Sequence, residues 1–320
     1  MVNQIHEAAG IIKNGGIVAF PTETVYGLGA DAFNAEAVAR IYEIKARPQF
    51  DPLIVHVCSM KELSLLCKRV DDQLSLLAEK FWPGPLTIVV PKKETVPGIV
   101  TSGLPTVAVR MPDHPLALEL ISRSGTPIAA PSANKFGMLS PTESGHVRKK
   151  LEGIDYIIEG GKTTIGLEST VMALSSDGFK ILRPGAITGK EIEGVIPRAN
   201  YDGKKNDEPA SPGMLKSHYS PVKPIYIKGE GEMRLDIREA GFISFGIPEP
   251  NLPYKEIAVL SPEKDLKEAA VNLFSAMHRL EDTAVRFIIA EPLPEEGIGV
   301  AIMDRLRKAA YQYSPLNKQE

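Results

Sequence analysis

An apolar run that breaks into a polar, proline-led, glycine-rich turn does most to constrain this chain. In GGIVAFPTETVYGLGADA, Gly15 to Ala32, the block Ile17, Val18, Ala19 and Phe20 has the continuous apolar character of a buried strand in an α/β sheet. Pro21 stops that strand, and Thr22, Glu23 and Thr24 place two hydroxyls and a carboxylate just past its carboxyl end, where open α/β sheets bind ligands. Gly27 and Gly29 allow positive φ or a close backbone approach, and Asn34 to Ala46 reads as a helix. The same residues also suit an ordinary βα loop with glycines for turning, so the rest of the chain has to decide.

Further strands follow the same logic. A helix carrying Ala37, Val38, Ile41, Tyr42 and Ile44 ends in Lys45 and Arg47 and is closed by Pro48. The strand Leu53 to Val57 holds His56 on the face of Ile54, a position that suits a satisfied core histidine as well as a functional one. Asp71 to Phe81 reads as a helix, Leu86 to Val90 as a strand, and Thr106 to Arg110 as a strand with an arginine at its carboxyl end. Pro127 to Ala130 empties into Pro131, Ser132, Ala133, Asn134 and Lys135. Ser140-Pro141-Thr142-Glu143 has the spacing of a capping box, whose helix start would offer free amides to an anion or simply begin a helix. Strands at Ile154 to Ile158, Val171 to Leu174 and Phe179 to Leu182 complete this part.

Tyr201 to Pro221 loses apolar periodicity and reads as a linker long enough to cover a site. Beyond it, strands at Pro224 to Lys228, Gly241 to Phe245, Ile257 to Leu260 and Phe287 to Ala290 alternate with a helix from Glu263 to Glu281 and another from Val300. That is a second, smaller α/β unit, and 320 residues suit two domains.

Several chemistries fit poorly. Gly27-x-Gly29-x-x-Ala32 matches a loose dinucleotide fingerprint, but six residues separate it from the strand it should follow. Gly161-Lys162-Thr163 lacks the first glycine of a phosphate-binding loop, and Ser132-Ala133-Asn134-Lys135 lacks the companion motif of an acylase. Cys58 and Cys67 are too few and too far apart for a disulfide framework or a zinc site. A formal charge of −3 gives no general avidity for nucleic acid. The first residues do not have the pattern of a signal peptide, and no stretch has the length of a membrane span, so a cytoplasmic protein is expected. What converges is a set of hydroxyls and cations at strand ends: Thr22, Thr24, Thr106, Ser132, Ser140 and Ser169 with Lys45, Arg47, Arg110 and Arg183. Such a set suits a small zwitterion held beside a triphosphate.

The blocks FPTETVYGLGADA, KARPQFDPLIVH, FWPGPLTIVV, TVAVRMPDHP, PIAAPSANKFG, SPT, GLESTV and ILRPGAI, in that order, resemble the YrdC/Sua5 family of threonylcarbamoyl-AMP synthases. From SPGMLKSHYSP onward the chain resembles the long Sua5 form. The resemblance implies a YrdC-like twisted mixed-sheet catalytic domain at 1–200, a linker or lid at 201–222, and a smaller Rossmann-like α/β domain at 223–320. It also implies a reaction in which L-threonine, bicarbonate and ATP give threonylcarbamoyl-AMP and pyrophosphate, the donor for a tRNA-modifying transfer complex. Carried over by motif, Thr24, His56, Arg110, Ser169 and the Ala130 backbone would hold threonine. Lys45, Arg47, Asp51, Thr106, Ser132, Ser140, Arg183 and Tyr219 would meet ATP, with Lys45, Arg47 and Arg110 as catalytic cations. Mg2+ would come with the nucleotide, without assigned protein ligands, and a weak contact with tRNA is expected. Asp51 stands where the family often has asparagine, and Leu215-Lys216-Ser217 replaces a more basic run. The rival readings are an RNA-binding module without catalysis, which wants a basic face, and a carbamoyl-phosphate-dependent carbamoyltransferase, which carries metal-binding fingers that this sequence lacks.

Overall fold

The computed structural model describes residues 2–199, 217–230 and 235–313. The first part opens with helix α1 (Val2–Lys13) and continues through β1 (Val18–Phe20), β2 (Gly27–Asp31), α2 (Ala35–Lys45), β3 (Ile54–His56), α3 (Met60–Leu66), α4 (Asp72–Phe81), β4 (Leu86–Pro91) and β5 (Thr106–Arg110). It then adds α5 (Pro115–Ser124), β6 (Ile128–Ala129), α6 (Ser144–Lys150), β7 (Tyr156–Ile157), β8 (Thr170–Ser175), β9 (Gly178–Arg183) and α7 (Gly189–Glu193). These strands form one mixed sheet in the order β7-β1-β2-β6-β3-β5-β4-β8-β9. The second part, β10 (Ile225–Ile227), β11 (Ala240–Ser244), β12 (Glu256–Val259), α8 (Leu266–Glu281), β13 (Phe287–Ala290) and α9 (Gly299–Ala310), forms an all-parallel sheet in the order β10-β13-β11-β12.

Alternation along the strands divides the large sheet into two faces. Val55, Val107, Val109, Ile88 and Val90 join the main core with Val38, Ile41, Leu74 and Leu77 of α2 and α4. Ile54, Val89, Ala108 and Val171 form a small apolar floor on the other face. The two parts share a third core in which Val25, Leu139 and Leu167 pack with Tyr219 and with Leu273, Phe274, Ile302 and Leu306 of α8 and α9. The small unit therefore seals against the loops of the large one.

Two expectations change. Gly27 and Gly29 are not loop residues: β2 pairs antiparallel with β1, Phe20 opposite Gly27, so the opening stretch is a β-hairpin. A Cβ at Gly29 would sit 2.7 Å from both the Phe20 ring and Ile128, so the glycine makes room for an aromatic ring. The Ser140–Glu143 capping box does not form either. Helix α6 starts at Ser144 with Glu143 as its N-cap, and the Ser140 hydroxyl instead donates to the buried Glu168 carboxylate. A buried carboxylate needs that donor more than a solvent-facing helix end does. Of helices α3 and α5, neither expected from the sequence, α3 adds Leu63 and Leu66 to the main core, and α5 packs with α1 against Val18, Phe20 and Ile128. The core of the expected linker, 201–216, lies outside the described residues.

Candidate active site

Strand polarity decides how the site is built. β1 is antiparallel to β2, β2 to β6 and β6 to β3, whereas β3 and β5 run parallel with His56 opposite Arg110. The carboxyl end of β1 thus points away from those of β3 and β5, and the Pro21–Tyr26 turn must cross the sheet to meet them. It does so: Arg110 Nη1 donates to Thr24 Oγ1 at 2.9 Å, and its Nη2 lies 2.6 Å from Glu23 Oε1. Thr22 holds the turn in shape, with its Oγ1 donating to Val25 O at 2.7 Å and accepting from the Val25 amide.

One cavity over this face is walled by Thr22, Thr24, Gly27, Arg47, His56, Arg110, Ala130, Ser132, Glu168, Ser169, Arg183, His218 and Tyr219, among others. Of the residues expected to hold threonine, all five (Thr24, His56, Arg110, Ala130 and Ser169) line it. Arg110 Nε donates to Gly84 O at 3.2 Å, which fixes the plane of its guanidinium. His56 is pushed down to about 3 by burial and by the Arg110 charge, so its imidazole is neutral. Ser169 Oγ lies 2.7 Å from Thr87 Oγ1 and accepts from Arg183 Nη2 at 3.1 Å.

Of the residues expected to meet ATP, Arg47, Ser132, Arg183 and Tyr219 line the cavity, while Lys45, Asp51, Thr106 and Ser140 stand behind or beside its walls. Lys45 is buried and its Nζ donates to the Ser132 and Asn134 carbonyls; burial first, then Arg47, drives its pKa well down. Arg47 Nη2 is 2.8 Å from Asp51 Oδ2 and donates to Pro52 O, and its Nε donates to Asp51 O. The carboxylate that departs from the family pattern is therefore neutralised inside the fold. Thr106 lies on the same face of β5 as Ala108 and Arg110, at the opposite end of the strand. Ser140 does not line the cavity and bears on it through its hydrogen bond to Glu168.

The sequence reading passed over Thr87, Glu168 and His218 as site residues, while Glu23 falls in the turn that it places where ligands bind. Glu168 is the most informative, because its charged state is built from distant parts of the chain. Burial alone would raise its pKa, but the charges of Arg305 and Arg183 and the Ser140 hydroxyl outweigh that and hold it low. Nothing in GLEST marks a partner 137 residues away. No group of three His, Cys, Asp or Glu side chains among the described residues is arranged to hold a metal ion, and Asp51 is already taken by Arg47. The donor set thus offers no ready-made cage for Mg2+ among the described residues, as befits an ion that takes most of its ligands from nucleotide phosphates and water.

Comparison with known proteins bears on this site. A family profile for Sua5, YciO and YrdC, described as "Telomere recombination", matches residues 10–185, and a second, described as "Threonylcarbamoyl-AMP synthase, C-terminal domain", matches 187–311. The chain is 45% identical to the threonylcarbamoyl-AMP synthase of Pyrococcus abyssi, covering 96% of this chain and 94% of that one. It is 43% identical to the Bacillus subtilis protein of the same name, with 96% and 93% covered. The crystal structure of P. abyssi Sua5 complexed with L-threonine superposes with a TM-score of 0.87 at 44% identity, covering 96% of this chain and 94% of that one. Two family profiles laid end to end, relatives matched over nearly their whole length and a shared two-part architecture lead to one conclusion: the chain belongs to the Sua5 family of threonylcarbamoyl-AMP synthases.

Proposed function

We propose that this protein condenses L-threonine, bicarbonate and ATP into threonylcarbamoyl-AMP and pyrophosphate. The observation that carries this reading is the convergence in one cavity of Thr24, His56, Arg110, Ala130 and Ser169 with Arg47, Ser132, Arg183 and Tyr219, in a chain 44% identical to a Sua5 solved with L-threonine.

Arg110 takes the threonine carboxylate. Of the five N–H groups of an arginine, Gly84 and Thr24 accept from two here, while Nη2 is ion-paired with Glu23 without a hydrogen bond, so N–H groups on both terminal nitrogens remain for a forked pair. Neutral His56 and the Ser169 hydroxyl hold the polar end of the same molecule without adding charge beside its nitrogen. Arg47, Arg183 and Ser132 face the phosphates, with Lys45 and Asp51 fixing Ser132 and Arg47 from behind. The apolar floor of Ile54, Val89, Ala108 and Val171, with Thr106 at its end, suits the nucleoside. The threonine amine condenses with bicarbonate, its N–C bond replacing a C–O bond as water leaves, and an oxygen of the resulting carbamate then attacks the α-phosphorus as pyrophosphate leaves. Such a transfer needs alignment and cations on the developing charge rather than a protein nucleophile. Arg47, Arg110 and Arg183 supply those cations from the cavity wall, and Lys45, expected among them, acts from behind by holding the Ser132 and Asn134 carbonyls. Mg2+ would enter on the ATP phosphates.

The domain division at 1–200, 201–222 and 223–320, cytoplasmic residence, delivery of the product to a tRNA-modifying transfer complex and a weak contact with tRNA follow from the same reading. Pyrophosphate release from ATP and bicarbonate, measured with each amino acid in turn, tests it. Release with threonine alone is expected, and release indifferent to the amino acid would reject it.

A further inference from the structure

Arg305, on α9 of the small unit, is the largest fully buried side chain among the described residues, yet it does not line the cavity. Among the described residues, its hydrogen-bond and ring partners beyond its own helix belong to the cavity wall or adjoin it. Its Nε donates to Glu168 Oε2 at 2.7 Å, its Nη2 donates to Pro184 O at 3.0 Å, and its guanidinium lies 5.0 Å from the centre of the Tyr219 ring. Asp304, next to it in the helix, pairs with it as well. Glu168 precedes Ser169 and Pro184 follows Arg183, the two residues joined by the Arg183–Ser169 hydrogen bonds. Tyr219 is itself a wall residue and holds a left-handed φ of 61°, a conformation that costs a non-glycine residue free energy and has to be imposed by its surroundings. The surroundings include α9 again, since the His218 amide donates to Lys308 O and Ser220 Oγ to Ala309 O, both at 3.3 Å.

A fully buried arginine is a poor way to gain stability, because well-packed apolar residues usually replace a buried ion pair at no loss. What it secures here is the charge and shape of a wall. Without Arg305, the Glu168 carboxylate would face the cavity beside Arg183, offset the cation that meets the triphosphate and repel the phosphates. We propose that Arg305 is a positioning residue through which the small unit shapes and neutralises the nucleotide side of the active site. The inference rests on the assignment of that side of the cavity to ATP.

The test is calorimetric binding of ATP and of threonine to the full-length chain, with thermal melts and pyrophosphate release run in parallel. Arg305→Met is expected to weaken ATP binding by about tenfold or more, the scale of losing one neutralising charge near the ligand, with threonine affinity within about twofold of wild type. Arg305→Lys, which restores a charge beside Glu168, is expected to recover a large part of the loss. Met303→Ala, buried in the same helix and away from the cavity wall, is expected to lower the melting temperature and leave ATP affinity unchanged. A folded Arg305→Met with wild-type ATP affinity would overturn the proposal, as would an equal loss of ATP affinity in Met303→Ala. If Arg305→Met does not fold, the double variant Arg305→Met, Glu168→Gln removes both charges and takes its place. There, an ATP affinity restored to wild type with Tyr219 still unclamped would overturn the shaping role, and a persistent loss would support it. A wild-type chain that binds ATP but releases no pyrophosphate with threonine would sink the proposed activity and leave the Arg305 comparison intact. A wild-type chain that binds no ATP would overturn both.

Discussion

Arg110 and Glu23 form a buried ion pair, with Nη2 2.6 Å from Oε1, at the point where the turn after β1 crosses the sheet to reach the end of β5. Removing either partner strands a buried charge, at a cost of about 3–5 kcal/mol. Arg110→Ala is therefore expected to abolish threonine-dependent pyrophosphate release and to lower stability. The double variant Arg110→Ala, Glu23→Gln should regain most of the stability while remaining inactive. Chemical denaturation beside the activity assay checks both, and recovered activity in the double variant would contradict a ligand-binding role for Arg110.

Gly29→Ala should destabilise the protein by about 1–3 kcal/mol through overpacking alone, since the new methyl would meet the Phe20 ring and Ile128 at 2.7 Å. Because the obstacle is a named side chain, Phe20→Leu in the Gly29→Ala background should cost less than the sum of the two single changes. A denaturant-based double-mutant cycle measures that coupling; strict additivity would argue against this packing.

These glycines show where the sequence was readable and where it was not. The strand block before Pro21, the helix up to Lys45 and the row Thr106 to Arg110 are legible because apolar period and stop residues are local signals. The role of Gly29 is not, because the ring it accommodates lies on the partner strand of a hairpin whose turn does not look like a hairpin turn. Ser140 misled for a related reason: Ser-Pro-Thr-Glu satisfies the local rules for a helix start, but Glu168 supplies a stronger, distant claim on the hydroxyl. The five residues expected to hold threonine fall together because each sits in its own recognisable block. Glu168 and Arg305 were invisible as a pair, since the contact that defines them spans 137 positions and the joint between two units.

His278 offers a test by pH. Its ring stacks on His146 at 3.9 Å and its Nε2 lies 3.1 Å from Ser140 O, while burial, and after it His146, push its pKa to about 3. The unfolded chain, with an ordinary histidine near 6.5, binds the extra proton, so this group's contribution to stability is full above pH 6.5 and is lost as pH falls toward 3. Denaturation at pH values from 8 to 4.5 should therefore show His278→Gln with a shallower decline than wild type, by up to about 1.4 kcal/mol per pH unit. Parallel curves would contradict it.

Asp51→Asn tests the departure from the family pattern. Burial raises the Asp51 pKa, and Arg47 counters it across a 2.8 Å ion pair. The amide keeps an acceptor for Arg47 but releases its positive charge toward the phosphates, so the KM for ATP should fall or hold while stability drops by about 1–3 kcal/mol. Steady-state kinetics with ATP as the varied substrate checks this, and a raised KM would argue for a direct role of the carboxylate.

The central claim is the identity of the product. Incubation of the purified chain with ATP, L-threonine and isotopically labelled bicarbonate, followed by rapid separation and mass spectrometry, reads it directly. A nucleotide containing AMP, threonine and the labelled carbon, formed one for one with pyrophosphate, is the predicted result. Pyrophosphate formed without the label entering a threonine adduct, or no adduct at all, would contradict the account.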